Sequence, residues 1–207
     1  VTMTKPGTDA DPLKVVAPAF TTMAIGQSTK APGQTNTITV TLVSATALAA
    51  ADANIVTISG LDGPADTNGD LTLSAVTGGN NGHTMFKSGN NDGKGAFLKT
   101  LGSLTMTVKT TLVAGTEYRF SFPLTNPTSA QASKDVYIEA SVAAGNDILR
   151  AYMTKPGADL LGVTNGANPL EVKLVNYFAI GQSNMLAETS YDVAKVAMTK
   201  PGTDADP

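Results

Sequence analysis

The chain of 207 residues contains no cysteine and no tryptophan, and its single histidine is His83. The absence of cysteine excludes disulfides, thiolate zinc sites and cysteine nucleophiles. A catalytic triad would have to use His83, which lies in the loop-like sequence GGNNGHTMF with no nucleophile-elbow motif nearby. Sparse carboxylates also disfavour the paired acids of a sugar-cleaving site. We therefore expect that the chain is not an enzyme.

Charge is also scarce. Asp, Glu, Lys and Arg make up 15% of the chain, the net charge is −3, and the 14 Lys and Arg residues are scattered. Nucleic acid is therefore not an expected partner. No apolar run reaches the roughly 18–20 residues that a membrane-spanning helix needs. Few charges and abundant Thr and Gly favour an extracellular or cell-surface location, and the 42% of apolar residues can build a core.

The two ends of the chain carry nearly the same twelve residues. Residues 1–12 read VTMTKPGTDADP and residues 196–207 read VAMTKPGTDADP, an offset of 195 residues. Only Thr2 and Ala197 differ. A match of this length and mixed composition indicates a tandem array. We expect the chain to be one period, with a short overlap, of a longer repeat protein.

A third copy of the MTKPG motif divides this period into two units. It begins at Met153, and in both units the order MTKPG, PL-x-V, AIGQS is kept. The motifs are PLKV (12–15) and AIGQS (24–28) in the long unit, and PLEV (169–172) and AIGQS (179–183) in the short unit. The predicted domains are a long unit (1–152, with its core at about 17–142), a short unit (153–197) and the start of the next repeat (198–207).

Alternating apolar and polar residues run through most of the long unit. In TNTITVTLVS, Ile38, Val40 and Leu42 alternate with threonines, and EYRFSFPL (117–124) and DVYIEASV (135–142) alternate in the same way. Such rows are typical of antiparallel sheets with one buried face. About eight strands are enough for a sandwich. The sequence predicts an all-β fold, an antiparallel Greek-key or immunoglobulin-like β-sandwich in a tandem-repeat array.

Two strand connections share a pattern in which a leucine follows a threonine-rich turn. We predict that Leu48 and Leu112 point into the core at these corners. For the first corner, ATALAAADA (45–53), the alternative is a short helix, because alanine and leucine favour helices. The recurring motifs have local interpretations too: Lys-Pro-Gly suits a type II turn, and the glycine of AIGQS suggests a bulge or a close backbone approach.

The segment LDGPADTNGDL (61–71) contains the candidate metal ligands. These are Asp62, Asp66, Asn68 and Asp70. Oxygen ligands at alternate positions suit Ca²⁺, but Leu71 and Thr77 replace the glycine and the glutamate of an EF-hand loop. The competing interpretation is a β-turn connector, since Asp and Asn are common in turns. Calcium is the one cofactor that the sequence leaves open.

Glycans are predicted only through O-linkage. The sole N-x-[ST] sequence, Asn126-Pro127-Thr128, is blocked by its proline. The threonine rows, which are expected to face solvent, are candidates for O-linked sugars: Thr37, Thr39, Thr41, Thr105 and Thr107. The alternative is that these threonines occur there only because threonine favours β-strands.

The short unit has about three predicted strands in its 45 residues, too few to bury a core alone. Its strands must therefore pack on a neighbouring sandwich or complete it. We expect the short unit to couple successive long units, within a chain or between chains, by adding strands to an exposed sheet edge.

Four stretches of the long unit carry a resemblance: GQTNTITVTL (33–42), IVTISGL (55–61), AGTEYRFSFPLTNP (114–127) and VYIEASV (136–142). The chain resembles the tandem β-sandwich repeat proteins of protist, algal or bacterial surface filaments and adhesin stalks. The resemblance implies a structural subunit of an extracellular filament or surface appendage, whose modules join head to tail by strand complementation or edge pairing. Its partners would be copies of itself or adjacent repeats, with glycans left open. The alternative is an adhesin stalk that presents a distal binding domain.

Overall fold

The computed structural model describes residues 15–142, 145–155 and 168–174. Within them, regular structure consists of β-strands and three single 3₁₀ turns. The strands are β1 (Phe20–Gln27), β2 (Thr35–Ser44), β3 (Ile55–Ser59), β4 (Gly69–Thr72), β5 (Phe86–Ser88), β6 (Asn91–Asp92), β7 (Lys94–Leu98), β8 (Ser103–Val108), β9 (Glu117–Thr125), β10 (Tyr137–Ser141) and β11 (Ile148–Tyr152). The turns are Ala50–Asp52, Gly82–Thr84 and Lys99–Leu101. Over these same ranges, we find no helix with the length and apolar character to cross a bilayer.

The strands form two antiparallel sheets. The smaller has the order β1-β2-β9, and the larger contains the path β11-β10-β3-β8, with β7 and β5 both paired along the outer side of β8. In the lettering of immunoglobulin domains, β1-β2-β9 corresponds to A-B-E and β11-β10-β3 corresponds to G-F-C. The predicted all-β sandwich is confirmed, with β4 to β8 lying between the strands that correspond to C and E.

The predicted inward rows build the core between the sheets. Ile38, Val40 and Leu42 of β2 are fully buried, and the alternate residues of β9 from Tyr118 to Leu124 are buried as well. Phe86 of β5 and Phe120 of β9 meet edge to face, with ring centroids 5.4 Å apart. This is a favoured aromatic geometry, and it joins the two sheets at the core.

Both sides of the sandwich are closed by short main-chain pairings between the sheets. On one side, Ser74, just beyond β4, exchanges two hydrogen bonds with Ser121 of β9, at 2.8 and 3.0 Å. On the other side, Thr154, just beyond β11, pairs in parallel with Ala24 of β1. Unpaired strand edges invite pairing with other chains, and these contacts satisfy part of each edge of the smaller sheet.

The two predicted corners pack against each other. Leu48 and Leu112 are buried, and their main chains exchange two hydrogen bonds of 3.0 Å each. Both inward-pointing leucines are thus confirmed. The alternative helix at the first corner is reduced to the single 3₁₀ turn Ala50–Asp52.

One prediction about the outer face of β2 is wrong. Thr37 is exposed, but Thr39 and Thr41 are buried. β2 is the central strand of the smaller sheet, so neighbouring strands flank both threonines. These two positions are therefore not accessible to O-linked sugars in the folded chain, while Thr105 and Thr107 are half-buried.

Replacing Leu112 with alanine should lower the free energy of unfolding by about 3 kcal/mol, because it leaves a cavity under both corners. The matched control is Val113→Ala, since the adjacent valine is exposed and should contribute less than about 0.5 kcal/mol. Urea denaturation of the two variants gives the comparison. Equal losses in the two variants would contradict the inward corner.

Candidate assembly site

The described part of the short unit lies on the sandwich of the long unit. We call Met153–Lys155 together with residues 168–173 the closing segment. Its side chains Met153, Leu170 and Val172 are buried, and the first two belong to the main core cluster. The boundary between the two compact units of the chain falls between Lys173 and Leu174, so the closing segment packs as part of the first unit.

The first half of the closing segment moves from one sheet to the other. The Met153 N–H donates to the Val136 carbonyl (2.8 Å), which continues the larger sheet. One residue later, the Thr154 N–H donates to the Met23 carbonyl (2.6 Å), and the Thr154 carbonyl accepts from the Ile25 N–H (3.1 Å). Three residues therefore continue β11 and add a short parallel strand to the edge of β1.

Lys155 completes this first half with an ion pair. Its Nζ lies 2.9 Å from the Asp135 carboxylate, and both side chains are partly exposed. Exposed pairs of this kind contribute little stability. The main-chain hydrogen bonds and the burial of Met153 therefore hold this part of the closing segment.

The second half of the closing segment lies against residues 131–134. Gln131 and Val172 exchange two main-chain hydrogen bonds of 2.9 Å each, and the Lys134 N–H donates to the Pro169 carbonyl at 3.1 Å. Leu170 takes the left-handed conformation, with φ at 61°, which is uncommon for a residue with a branched side chain. In that conformation its side chain is 2% exposed. Strand-like pairing and two apolar side chains thus fix the PLEV motif to the sandwich.

A buried network of side-chain amides links the closing segment to the smaller sheet. The Asn36 Nδ2 donates to the Gln27 Oε1 and to the Asn126 Oδ1, both at 2.9 Å. The Gln27 Nε2 in turn donates to the Glu171 carbonyl at 3.1 Å. All three amides are buried, and buried polar groups that lose a partner are costly. Without PLEV, the Gln27 Nε2 would therefore lose the Glu171 carbonyl as its acceptor.

This assigns a role to the AIGQS motif that sequence reasoning missed. The predicted strand is confirmed, but it has no bulge at the glycine: Gly26 pairs in register with Thr39, and the irregularity of β1 lies between Phe20 and Thr22. Within the motif, Gln27 is the residue whose side chain contacts PLEV. The signal that could have found it is the repeated order of AIGQS and PL-x-V, which are the two ends of this hydrogen bond.

A partly buried ion pair completes the site. Lys30 Nζ lies 2.6 Å from Glu171 Oε2, and the two side chains are only 22% and 19% exposed. Lys173 lies farther from the same carboxylate, at 3.7 Å from Oε1. The Lys173 N–H also donates to the Lys30 carbonyl at 3.0 Å. Because solvent screens a buried pair less than an exposed one, a change of charge at position 171 should matter to docking.

A second candidate surface for assembly is the free side of β11. This strand pairs with β10 on one side and ends the order of the larger sheet in the described part of the chain. Leu149 is 81% exposed and Tyr152 is 63% exposed. The Tyr137 ring lies 4.4 Å from the Tyr152 ring, and the Arg150 guanidinium lies 3.8 Å above the Tyr137 ring. The hydrogen bond to Tyr152 raises the pKa of Tyr137. An exposed strand with such side chains is suited to edge pairing.

The side chains of the calcium candidates accept hydrogen bonds from other parts of the protein. The Asp66 carboxylate accepts from the N–H (2.5 Å) and the hydroxyl (3.1 Å) of Thr125. The Asn68 Oδ1 accepts from the Lys99 N–H at 2.8 Å. These two candidates therefore hold different elements, the end of β9 and a 3₁₀ turn.

Asp70 and Asp62 are engaged elsewhere. The Asp70 carboxylate accepts from the Ser88 hydroxyl (2.6 Å) and the Asn91 Nδ2 (2.8 Å), and these hydrogen bonds hold its pKa below the ordinary value. Asp62 lies against Gly102, where a Cβ atom would clash with its Oδ1. In the ranges that the structure describes, no group of three or more His, Asp or Glu residues is arranged to hold a metal ion. The geometry favours the turn interpretation over the calcium interpretation.

His83 lies in the 3₁₀ turn Gly82–Thr84, next to β9. Gly82 is required there, because a Cβ atom at this position would lie 2.5 Å from the Arg119 carbonyl. The turn thus has a packing role.

No protein-family model matches the chain, and no curated protein matches it.

Calcium and a chelator should leave the thermal unfolding midpoint of the chain unchanged, because the oxygens of Asp66, Asn68 and Asp70 already accept hydrogen bonds from the protein. Differential scanning calorimetry with millimolar CaCl₂ and with EDTA tests this. A midpoint that rises with calcium and falls with EDTA would support a site in segment 61–71.

The two PL-x-V motifs offer a matched pair of substitutions. Val172 is 2% exposed, whereas its counterpart Val15 is 92% exposed. Val172→Ala should lower the free energy of unfolding by about 2 kcal/mol, since two buried methyl groups and their packing are lost. Val15→Ala should change it by less than about 0.5 kcal/mol. If urea denaturation gives the same value for both, Val172 does not anchor the closing segment.

Proposed function

We propose that the chain is a structural repeat subunit of an extracellular filament or surface appendage. Successive modules join head to tail by strand complementation, with the closing segment as the joining element. The observation that carries this proposal is the parallel pairing of Thr154 with β1 together with the burial of Leu170 and Val172 on the same sandwich. A segment of the short unit thereby completes a sandwich that the long unit leaves open.

The position of the closing segment supports a role in joining modules. It ends at Lys173, and the next compact unit begins at the following residue. The recurrence of MTKPG, PL-x-V and AIGQS around each such junction supports the same arrangement in the next period.

The alternative is an adhesin stalk, in which the same modules form a tether for a distal binding domain. The observation that favours it is the closure of the sandwich by its own chain, which needs no second molecule. The two functions differ in whether separate chains associate. The free side of β11, with Leu149 and Tyr152 exposed, favours association between chains.

Electron microscopy of a purified polypeptide with several successive 195-residue periods tests the proposal. We expect filaments with a regular axial repeat that matches the period. Flexible, single-chain threads would overturn the filament and favour the stalk.

The matched control is the same polypeptide with Thr154→Pro in every period. Proline cannot donate the hydrogen bond to Met23, so the joining element should seat poorly and the axial repeat should become irregular. A repeat unaffected by this substitution would show that the closing segment does not set the junction.

A further inference from the structure

We propose that Tyr137 and Tyr152 are an oxidative cross-linking site, at which a carbon–carbon bond between the two rings joins β10 to β11 within one chain. The oxidant is a one-electron oxidant of the haem-peroxidase class, and its co-substrate is hydrogen peroxide. The inference goes beyond the proposed function and does not depend on it, since a filament and a stalk would carry the same pair of tyrosines.

The larger sheet holds the two tyrosines side by side. They are directly opposite each other in the β10–β11 ladder, and opposite residues of antiparallel strands lie on the same face of a sheet. Their ring centroids are 4.4 Å apart, the ring planes are inclined by 36°, and a hydrogen bond joins the two hydroxyls. The Cε carbons next to the hydroxyls therefore lie close together, and these are the ring carbons at which tyrosyl radicals couple.

The pair is open to an oxidant. Tyr152 is 63% exposed and Tyr137 is half-buried. Among the residues that the structure describes, the other tyrosine is Tyr118, which is 6% exposed and whose hydroxyl accepts a hydrogen bond from the Val113 N–H. The Arg150 guanidinium lies over the Tyr137 ring, 3.8 Å from its centroid. Because this group covers part of the ring, a radical on Tyr137 meets Tyr152 before it meets a second molecule.

The reaction balances with one molecule of peroxide. Each phenol loses one electron and one proton to give a tyrosyl radical, and the two radicals form the bond between Cε of Tyr137 and Cε of Tyr152. The hydrogen on each bonded carbon then moves to the oxygen of its own ring, which restores both phenols. Hydrogen peroxide takes up the two electrons and two protons and leaves as two molecules of water.

The bond would fix the start of the closing segment. Met153, which follows Tyr152 directly, is buried in the core cluster. A cross-link between the two strands closes a loop of roughly 15 residues, and this reduces the freedom of the unfolded chain as a disulfide would. We expect the thermal unfolding midpoint of the cross-linked chain to rise by roughly 10 °C.

Peptide mapping of the full chain tests the site. The chain is treated at micromolar concentration with a haem peroxidase and one equivalent of hydrogen peroxide, and is then digested with trypsin. Cleavage after Arg150 places Tyr137 and Tyr152 in separate peptides, 135–150 and 151–173. The second peptide contains a Lys-Pro bond, which trypsin leaves intact. We expect a product with the summed mass of the two peptides less two hydrogen atoms.

Isotope mixing and a matched variant show where the bond forms. In an equal mixture of ¹⁵N-labelled and unlabelled chains, a bond within a chain joins peptides of the same isotope, whereas bonds between chains also give mixed pairs. The matched control is Tyr152→Phe with Val113→Tyr, which keeps five tyrosines and places the new one at an exposed position outside the β10–β11 ladder. We expect this variant to yield on the order of tenfold less joined product from peptide 135–150, because the proximity of the rings is lost.

Three outcomes would overturn parts of the proposal. Mixed-isotope pairs in statistical proportion would overturn the bond within one chain and show that Tyr152 couples between chains. No joined product, while N-acetyltyrosinamide dimerises in a parallel reaction, would overturn the site itself. An unchanged unfolding midpoint in the joined chain, measured by scanning calorimetry, would overturn the stabilising role of the bond. Each outcome is independent of whether the chain forms filaments.

Discussion

The fold depends on how its sheet edges are satisfied. A β-sandwich leaves unpaired N–H and C=O groups along the outer strands of each sheet, and here the two sheets are joined through those groups. Thr154 adds to β1 on one side, and Ser74 adds to β9 on the other. The core residues pack between the two sheets that these pairings join.

The closure on the β1 side differs from the closure on the β9 side because it comes from the short unit. The Ser74 pairing lies within the long unit, between β4 and β9, whereas Thr154 belongs to a motif that recurs in the sequence. The core therefore includes residues of a motif that recurs in the sequence. Under the proposed function, closure of this sandwich and connection between units are parts of one process.

Alternating rows made the sandwich predictable from sequence. The strands β2, β9 and β10 lie where the alternation placed them, and Leu48 and Leu112 point inward as the two corners required. These features are local, because a period of two fixes which face each side chain occupies. What could not be predicted depends on contacts between distant residues. The Thr154 pairing joins residues about 130 positions apart, and three residues are too few to show a strand pattern.

The buried amides show the same limit at the candidate site. The repeated order of AIGQS and PL-x-V links the two motifs, but it does not show that the Gln27 side chain bonds to Asn36 and to the Glu171 carbonyl, since the fold brings those partners together. Thr39 and Thr41 were misassigned for a related reason. Alternation identifies the two faces of a strand, but only the surrounding structure determines whether the second face meets water.

In the closing segment, the contacts of residues that recur elsewhere in the sequence are distinct from the contact of the one that does not. Main-chain hydrogen bonds and the burial of Leu170 and Val172 involve residues that recur at positions 12–15. The contact of Glu171 with Lys30 is the side-chain interaction in PL-x-V that differs between the copies. A difference of charge at a position that solvent screens weakly is the kind of change that can distinguish one partner from another.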